Sequence, residues 1–96
     1  MRFATMAIAI FGMLLTSSAS VSAQNAGRCQ SYWFERNAML KEYRYCFRSP
    51  RAIYYFGNGG CVYERVNDIP FNRPDRERLL EIRAMERVHQ CSPRLT

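Results

Sequence analysis

The residues best suited to metal chemistry are four cysteines and one histidine. Cys29, Cys46, Cys61 and Cys91 are separated by 17, 15 and 30 positions, so the chain has no C-x-x-C pair, the usual zinc half-site. His89 stands two residues before Cys91, which is a poor spacing for joint ligation. We therefore expect no metal site and no cofactor, and we interpret the cysteines as two disulfides.

Nucleophilic and acid–base catalysis also find little support. His89 would need a serine and an orienting acid, but Ser31 and Ser49 stand where helix caps are expected. Glu35 follows three aromatic residues, and such surroundings can raise the pKa of a carboxyl to that of a glycosidase acid. However, Arg36 and other arginines are available to pair with it. We expect no catalytic residue and no enzyme.

The first 23 residues have the pattern of a secretory signal peptide. After a short positive start, residues 3–15 are apolar apart from Thr5 and Gly12, and small residues follow up to Ala23. This run is shorter than the roughly 20 residues that span a bilayer, which disfavours a membrane anchor. We predict a signal peptide over residues 1–23, one domain over 24–96, and a periplasmic or extracellular protein without stable membrane insertion after cleavage.

Composition and charge narrow the class of partner. The chain has 96 residues, of which 48% are hydrophobic and 23% charged, so it is neither an acidic disordered tail nor a low-complexity segment. A formal net charge of +6 favours an anionic partner, unless it serves solubility alone. Since an exported protein does not normally meet nucleic acid, we expect an anionic envelope component or another protein instead.

The middle of the chain combines arginine, tyrosine and glycine. The residues that we predict to bind a partner are Arg44, Arg48, Arg51, Tyr54 and Asn58. Arginines beside aromatic rings hold sugars, phosphates and single-stranded nucleic acid in other proteins. The alternative is that the aromatic residues only form the core and the arginines only aid solubility. The arginine-rich last helix is a second candidate, although its alternating acidic residues are typical of a solvated face.

Three helices must position these residues. Residues 31–43 contain no glycine or proline and are rich in helix formers, with Ser31 as a candidate N-cap. Ser49 and Pro50 start a short helix over 50–56, which the glycines of 57–60 end. Residues 61–63 can form a short extended piece. A last helix begins after Asn72 and continues to about residue 90.

The last helix also carries a predicted capping box and an apolar stripe. Asp75 stands three residues after Asn72, as the reciprocal partner of a capping box does. Leu80, Ala84 and Val88 lie on one face that continues to Cys91, and we expect this stripe to face inward. An adjoining face carries Leu79, Ile82 and Met85.

Helix length restricts the three disulfide pairings that four cysteines allow. A 13-residue helix spans roughly 20 Å, whereas the Cα atoms of a disulfide lie about 4.4–6.8 Å apart. Cys29 and Cys46 flank the predicted helix 31–43, so a disulfide between them is disfavoured. The Cys61–Cys91 disulfide is disfavoured with it, because it would have to form alongside that bond. Antiparallel long helices favour the nested pairing of Cys29 with Cys91 and Cys46 with Cys61. The crossed pairing of Cys29 with Cys61 and Cys46 with Cys91 stays open. It requires that the two long helices are parallel and that the loop between them is longer.

Short motifs along residues 29–91 point to a known family. They are Trp33-Phe34-Glu35-Arg36-Asn37, Tyr45-Cys46-Phe47, Pro50-Arg51-Ala52-Ile53, Tyr55-Phe56-Gly57-Asn58 and Gly60-Cys61, with Leu79 to Ile82 in a capped helix. In these residues the chain resembles the bacterial exported YARHG domain, and most closely its small cysteine-bearing members. The resemblance implies a role at the cell envelope and no established enzymatic activity.

Two residues gain an expected role from this resemblance. The five residues that give the family its name align with residues 40–44, where the motif's glycine, a left-handed helix end, is replaced by Arg44. The family keeps an asparagine at Asn37, for which we expect a structural hydrogen bond to the backbone of 45–47.

The predictions combine into one small, mainly α-helical domain. Two longer antiparallel helices, a short middle helix and an irregular glycine-rich connection are held together by two disulfides. Such a monomeric exported protein would serve as a non-enzymatic binding or accessory module of the cell envelope. The alternative function is a small envelope-acting enzyme or enzyme inhibitor.

Overall fold

The computed structural model of the chain describes residues 4, 5, 12 and 19–92. Helix α1 spans Ala19–Glu42, α2 spans Pro50–Phe56 and α3 spans Arg73–Val88, with a 3-10 turn at Val66–Asp68. Within this part of the chain the only β pairing is a bridge between residues 45 and 63. The mainly α-helical class predicted from the sequence is confirmed.

Helix α1 starts earlier than predicted. Ser31 is not its N-cap but lies inside the helix, where its hydroxyl donates to the Gly27 carbonyl at 3.1 Å. A helical serine can satisfy its hydroxyl on the preceding turn in this way, so it does not force a start. The predicted leader lies largely outside the described residues, and its predicted cleavage site after Ala23 falls within α1. No helix among the described residues is long and apolar enough to cross a membrane.

The end of α1 has the left-handed geometry expected at Arg44. Arg44 has a φ of 62°. Its N–H donates to the Lys41 carbonyl, and the Tyr45 N–H donates to the Leu40 carbonyl, both at 3.0 Å. These two bonds form a Schellman motif, in which the left-handed position normally takes glycine. The motif turns the chain out of the helix just before Cys46.

Helix α3 ends in the same way, which the sequence did not indicate. Gln90 has a φ of 52°, and its N–H donates to the Arg87 carbonyl at 3.1 Å. The Cys91 N–H donates to the Glu86 carbonyl at 2.8 Å, completing a second Schellman motif. Both long helices therefore end in a left-handed non-glycine residue, which a disulfide-bonded cysteine follows within two positions.

The predicted N-caps of α2 and α3 are present. Ser49 accepts a hydrogen bond from the Ala52 N–H, and Asn72 accepts one from the Asp75 N–H at 2.9 Å. The reciprocal half of the predicted capping box does not form, because the Asp75 carboxylate accepts the Tyr43 hydroxyl at 2.5 Å instead. This bond holds the start of α3 beside the end of α1.

The disulfides and the Tyr43–Asp75 bond define the antiparallel arrangement of α1 and α3. Cys29 is bonded to Cys91 with a Cα–Cα distance of 5.4 Å, so the end of α3 lies beside the first half of α1. Cys46 is bonded to Cys61 across 5.0 Å and closes the segment that carries α2. The nested pairing favoured from the sequence is the one observed.

The core lies between α1 and the segments that pack on it, which are α2, α3 and the chain between them. Trp33 and Leu40 of α1 are buried with Phe47, Ala52 and Ile69. Helix α3 adds Leu79 and Ile82. This corrects the predicted inward stripe, because Leu80 and Val88 are 61% and 70% exposed. Both faces of α3 carry apolar residues, and the buried face is the one that also bears Glu86, which pairs with Arg36 of α1.

Candidate functional site

A groove of about 840 Å³ lies over α1, between α3 and the segment that leads into α2. Its volume is in the range of small-molecule sites, which commonly form between packed helices. It is lined by Arg36, Asn37, Leu40, Tyr45, Phe47, Arg48, Ser49, Ala52, Val66, Arg83, Glu86, Arg87, Gln90, Cys91 and Ser92. The groove is thus built from all three helices and from the chain that follows each long helix.

A buried ion pair forms part of the groove lining. The Arg36 guanidinium donates from Nε to one Glu86 carboxylate oxygen at 2.8 Å and from a terminal nitrogen to the other at 3.2 Å. Their side chains are only 7% and 13% exposed. A buried charge needs such a partner, because an isolated one would carry a large desolvation cost. The Glu86 carboxylate is therefore committed to Arg36.

Three further arginines line the groove without a carboxylate partner in the described part of the chain. Arg48 donates to the Glu64 carbonyl at 3.3 Å, whereas Arg83 and Arg87 make no ion pair there. Arg83 and Arg87 stand four positions apart on α3, a spacing at which like charges repel. Glu86 is the one acidic residue among the lining residues. The groove therefore carries an uncompensated positive charge.

The rest of the lining is mixed in character. Leu40, Phe47, Ala52 and Val66 contribute apolar surface, and hydroxyl and amide groups lie among them. A site that combines apolar walls with a few charged groups orients a ligand by the charge and holds it by burial. This groove therefore suits an anion that also carries an apolar portion.

Of the five predicted binding residues, only Arg48 lines this groove. Arg51 and Tyr54 are not among its lining residues. Arg44 is exposed and lies at the end of α1, where its carbonyl accepts hydrogen bonds from residues 62 and 63. Asn58 is engaged by the backbone of residue 47, to which its side chain donates at 2.9 Å and from which it accepts at 2.7 Å.

The hydrogen bond expected of Asn37 is made by Asn58 instead. The Asn37 amide donates to the Trp33 carbonyl at 2.8 Å, one turn back in its own helix, so the expected bond to the segment 45–47 was wrong. Asn37 is 3% exposed, so its buried amide needs a hydrogen-bond partner, and the Trp33 carbonyl provides one. Asn37 therefore makes a structural hydrogen bond, as expected, but with a different backbone partner.

Glu35 does not have the surroundings of a catalytic acid. Arg78 donates to both of its carboxylate oxygens at 2.7 Å. These hydrogen bonds, together with the charge of Arg78, hold the pKa of Glu35 below its ordinary value, whereas a glycosidase acid needs a raised one. The aromatic neighbours in the sequence therefore do not control this carboxyl.

The other chemistry-bearing side chains have structural surroundings. His89 ends α3 and stacks on Tyr32 with ring centroids 6.0 Å apart. The hydroxyls of Ser31 and Ser49 are bonded to backbone. Among the described residues no group of three histidine, cysteine or acidic side chains could hold a metal ion.

Sequence reasoning missed most of the groove. Arg36 and Glu86 are 50 positions apart, and nothing in either local sequence indicates that they pair. One signal was present, since Arg83 and Arg87 form a like-charge pair four positions apart within a helix whose other arginines alternate with acids.

Comparison with known proteins places the chain in a family. Neither a curated protein nor a solved structure matches it significantly. The family model described as the YARHG domain matches residues 6–87, which is most of the chain. Its two disulfides agree with the cysteine-bearing members that the motifs resemble. The chain therefore belongs to the YARHG domain family.

Proposed function

We propose that this protein is an exported, non-enzymatic module that binds an anionic component of the cell envelope in the groove over α1, between α3 and the segment that leads into α2. The two disulfides support export, because such bonds persist in oxidising compartments. The signal-peptide pattern of residues 1–23 points the same way.

The observation that carries the proposal is the charge of the groove. Its single carboxylate, Glu86, is bonded through both oxygens to Arg36. Arg48, Arg83 and Arg87 then have no carboxylate among the described residues to neutralise them. A bound anion would supply that negative charge and remove the repulsion between the two α3 arginines.

Different residues of the groove contact the charged and the apolar parts of the ligand. Arg83 and Arg87 come from α3, and Arg48 comes from the segment before α2, so an anionic group between them receives hydrogen bonds from two sides. The apolar lining around Phe47 takes the non-polar part of the ligand. Because the three arginines are exposed, their attraction for the ligand should weaken as salt rises.

The absence of catalysis is part of the same proposal. What supports it is the use of the candidate catalytic groups in folding: Glu35 pairs with Arg78, and Ser31 and Ser49 bond to backbone. Incubation with peptidoglycan and glycan substrates should therefore give no turnover. A product formed by the wild type and lost on substitution of Glu35 would contradict this.

The binding test compares two double variants with the same change in charge. Arg83→Gln/Arg87→Gln removes two groove arginines, whereas Arg65→Gln/Arg73→Gln removes two exposed arginines of local ion pairs outside the groove lining. Co-sedimentation with isolated bacterial envelope fractions is measured at low and physiological salt. We expect the groove variant to lose most of the binding and of its salt dependence, and the control to keep both. Equal retention of the two variants would refute the groove as the site.

A further inference from the structure

We infer that the outer surface of α2 is a second binding site, which stacks the sugar rings of an acidic polysaccharide. The surface, called here the α2 platform, consists of Arg51, Tyr54 and Tyr55. None of these residues lines the groove, so the platform does not depend on the function proposed above.

Tyr54 is the exposed centre of the platform. It is 84% exposed, more than any other large hydrophobic residue among those described. Its ring packs edge-on against Tyr55, with centroids 5.2 Å apart. Folding therefore gains little from the Tyr54 ring, which leaves its faces available to a ligand.

The platform is supported from below by buried aromatic rings. The Tyr55 ring packs edge-on against Phe34 at 5.0 Å and against Trp33 at 5.9 Å. Trp33 is fully buried, so this chain of contacts connects the surface ring to the core. The α2 segment is also closed by the Cys46–Cys61 disulfide. A surface fixed in this way loses little conformational freedom on binding.

Arg51 adds a positive charge that the protein does not neutralise. Its guanidinium carbon lies 4.1 Å from the centre of the Trp33 ring and 6.0 Å from that of Tyr55. Among the described residues, no carboxylate or carbonyl accepts a hydrogen bond from this guanidinium. Stacking on Trp33 orients the guanidinium of Arg51, and its N–H groups can still donate hydrogen bonds to a ligand.

The size and chemistry of the platform favour a sugar over larger partners. A stable protein interface buries about 800 Å² on each side and involves some 20–30 residues. The exposed large hydrophobic side chains of α2 are Ile53, Tyr54 and Tyr55, on a helix of seven residues. A pyranose ring matches this area, since it has an apolar C–H face for a tyrosine and oxygens at its rim. A carboxylate on that rim would pair with Arg51.

The test uses a hexamer of galacturonic acid, with neutral maltohexaose for comparison, in calorimetric titrations of the disulfide-bonded protein. Tyr54→Ala removes the stacking ring, and Leu80→Ala is its matched control because Leu80 is an exposed apolar residue on α3. Arg51→Gln removes the platform charge, and Arg83→Gln/Arg87→Gln removes groove charge. Thermal unfolding verifies that each variant is folded.

We expect the acidic hexamer to bind the wild type more tightly than the neutral one. Tyr54→Ala should weaken binding about fivefold, which equals the lower end of the loss seen when an aromatic ring that stacks on a nucleobase is removed. Arg51→Gln should weaken it and reduce its salt dependence, while Leu80→Ala and the groove variant should bind as the wild type does. No binding by the wild type, unchanged binding by Tyr54→Ala, or loss in the groove variant alone would each overturn the inference. The last outcome would leave the groove proposal standing.

Discussion

Replacing Arg44 by glycine should stabilise this protein. Arg44 occupies the left-handed position that ends α1, with a φ of 62°. Its backbone bonds do not involve the side chain: the N–H donates to the Lys41 carbonyl, and its own carbonyl accepts from the N–H groups of Val62 and Tyr63 at 2.7 and 3.1 Å. The Arg44 side chain is exposed and makes no ion pair within the described residues. The substitution should therefore relieve strain without removing an ion pair.

The size of the effect follows from two opposing terms. A left-handed backbone costs a residue with a Cβ atom about 1–2 kcal/mol. Glycine loses more freedom on folding, which returns about 0.5–1 kcal/mol of that gain. The net stabilisation should be roughly 0.5–1 kcal/mol, which for a domain of this size raises the melting temperature by about 2–8 °C.

Guanidinium unfolding of the disulfide-bonded protein measures this difference. The denaturation midpoint of Arg44→Gly should rise with an unchanged m-value. Ala38→Gly is the matched control, because Ala38 is exposed in the right-handed interior of α1, where glycine should cost about 1 kcal/mol. If Arg44→Gly lowers stability as Ala38→Gly does, Arg44 has right-handed geometry in solution and the reasoning fails.

Three further predictions concern a hydrogen bond, an ion pair and the mature N-terminus. Asn58→Ala should destabilise the fold by about 1–3 kcal/mol in urea unfolding, because the N–H and carbonyl of Phe47 lose their partner; a loss no larger than that of Asn67→Ala would contradict this. Since Arg78 lowers the pKa of Glu35, the ion pair's contribution should be complete above the ordinary value of 4.5 and should disappear as pH falls through the lowered value. In a pH series of thermal unfolding, Glu35→Gln should lose less stability than the wild type as pH falls through this range. An identical loss of stability in both proteins would refute the role of the Glu35–Arg78 ion pair. Mass spectrometry of protein recovered from the producing bacterium should find an N-terminus at Gln24 or within a few residues, and a full-length chain would exclude the predicted cleavage.

The ends of the long helices explain how so small a domain aligns its disulfides. In each Schellman motif the left-handed residue, Arg44 or Gln90, reverses the chain direction within one residue. Cys91 follows Gln90 directly, and Cys46 follows Arg44 by two positions. Restoring the right-handed conformation at either position would carry the helix past its cysteine. At Arg44 this would move the groove lining contributed by residues 45, 47 and 48, and at Gln90 that contributed by residues 90–92.

Features that depend on a few neighbouring residues were readable from the sequence. The caps at Ser49 and Asn72 formed as predicted because a side-chain oxygen and the N–H three residues later are brought together by the helix start itself. The left-handed end at Arg44 followed from the family's glycine at that position. Helix length argued only against a Cys29–Cys46 bond, and the antiparallel arrangement of α1 and α3 decided between the nested and crossed pairings, with Cys29 lying inside α1 and not before it.

The groove and the buried face of α3 required the tertiary structure. Helix periodicity indicated two apolar faces on α3, and the structure buries the face with Leu79, on which Glu86 pairs with Arg36 50 positions away, and exposes the face with Leu80. Likewise, the backbone of Phe47 was expected to bond with Asn37, and only the tertiary structure shows that Asn58 makes this bond while Asn37 bonds within its own helix. Contacts across such separations depend on how the helices are arranged in space, and that arrangement leaves no periodic or local pattern in the chain.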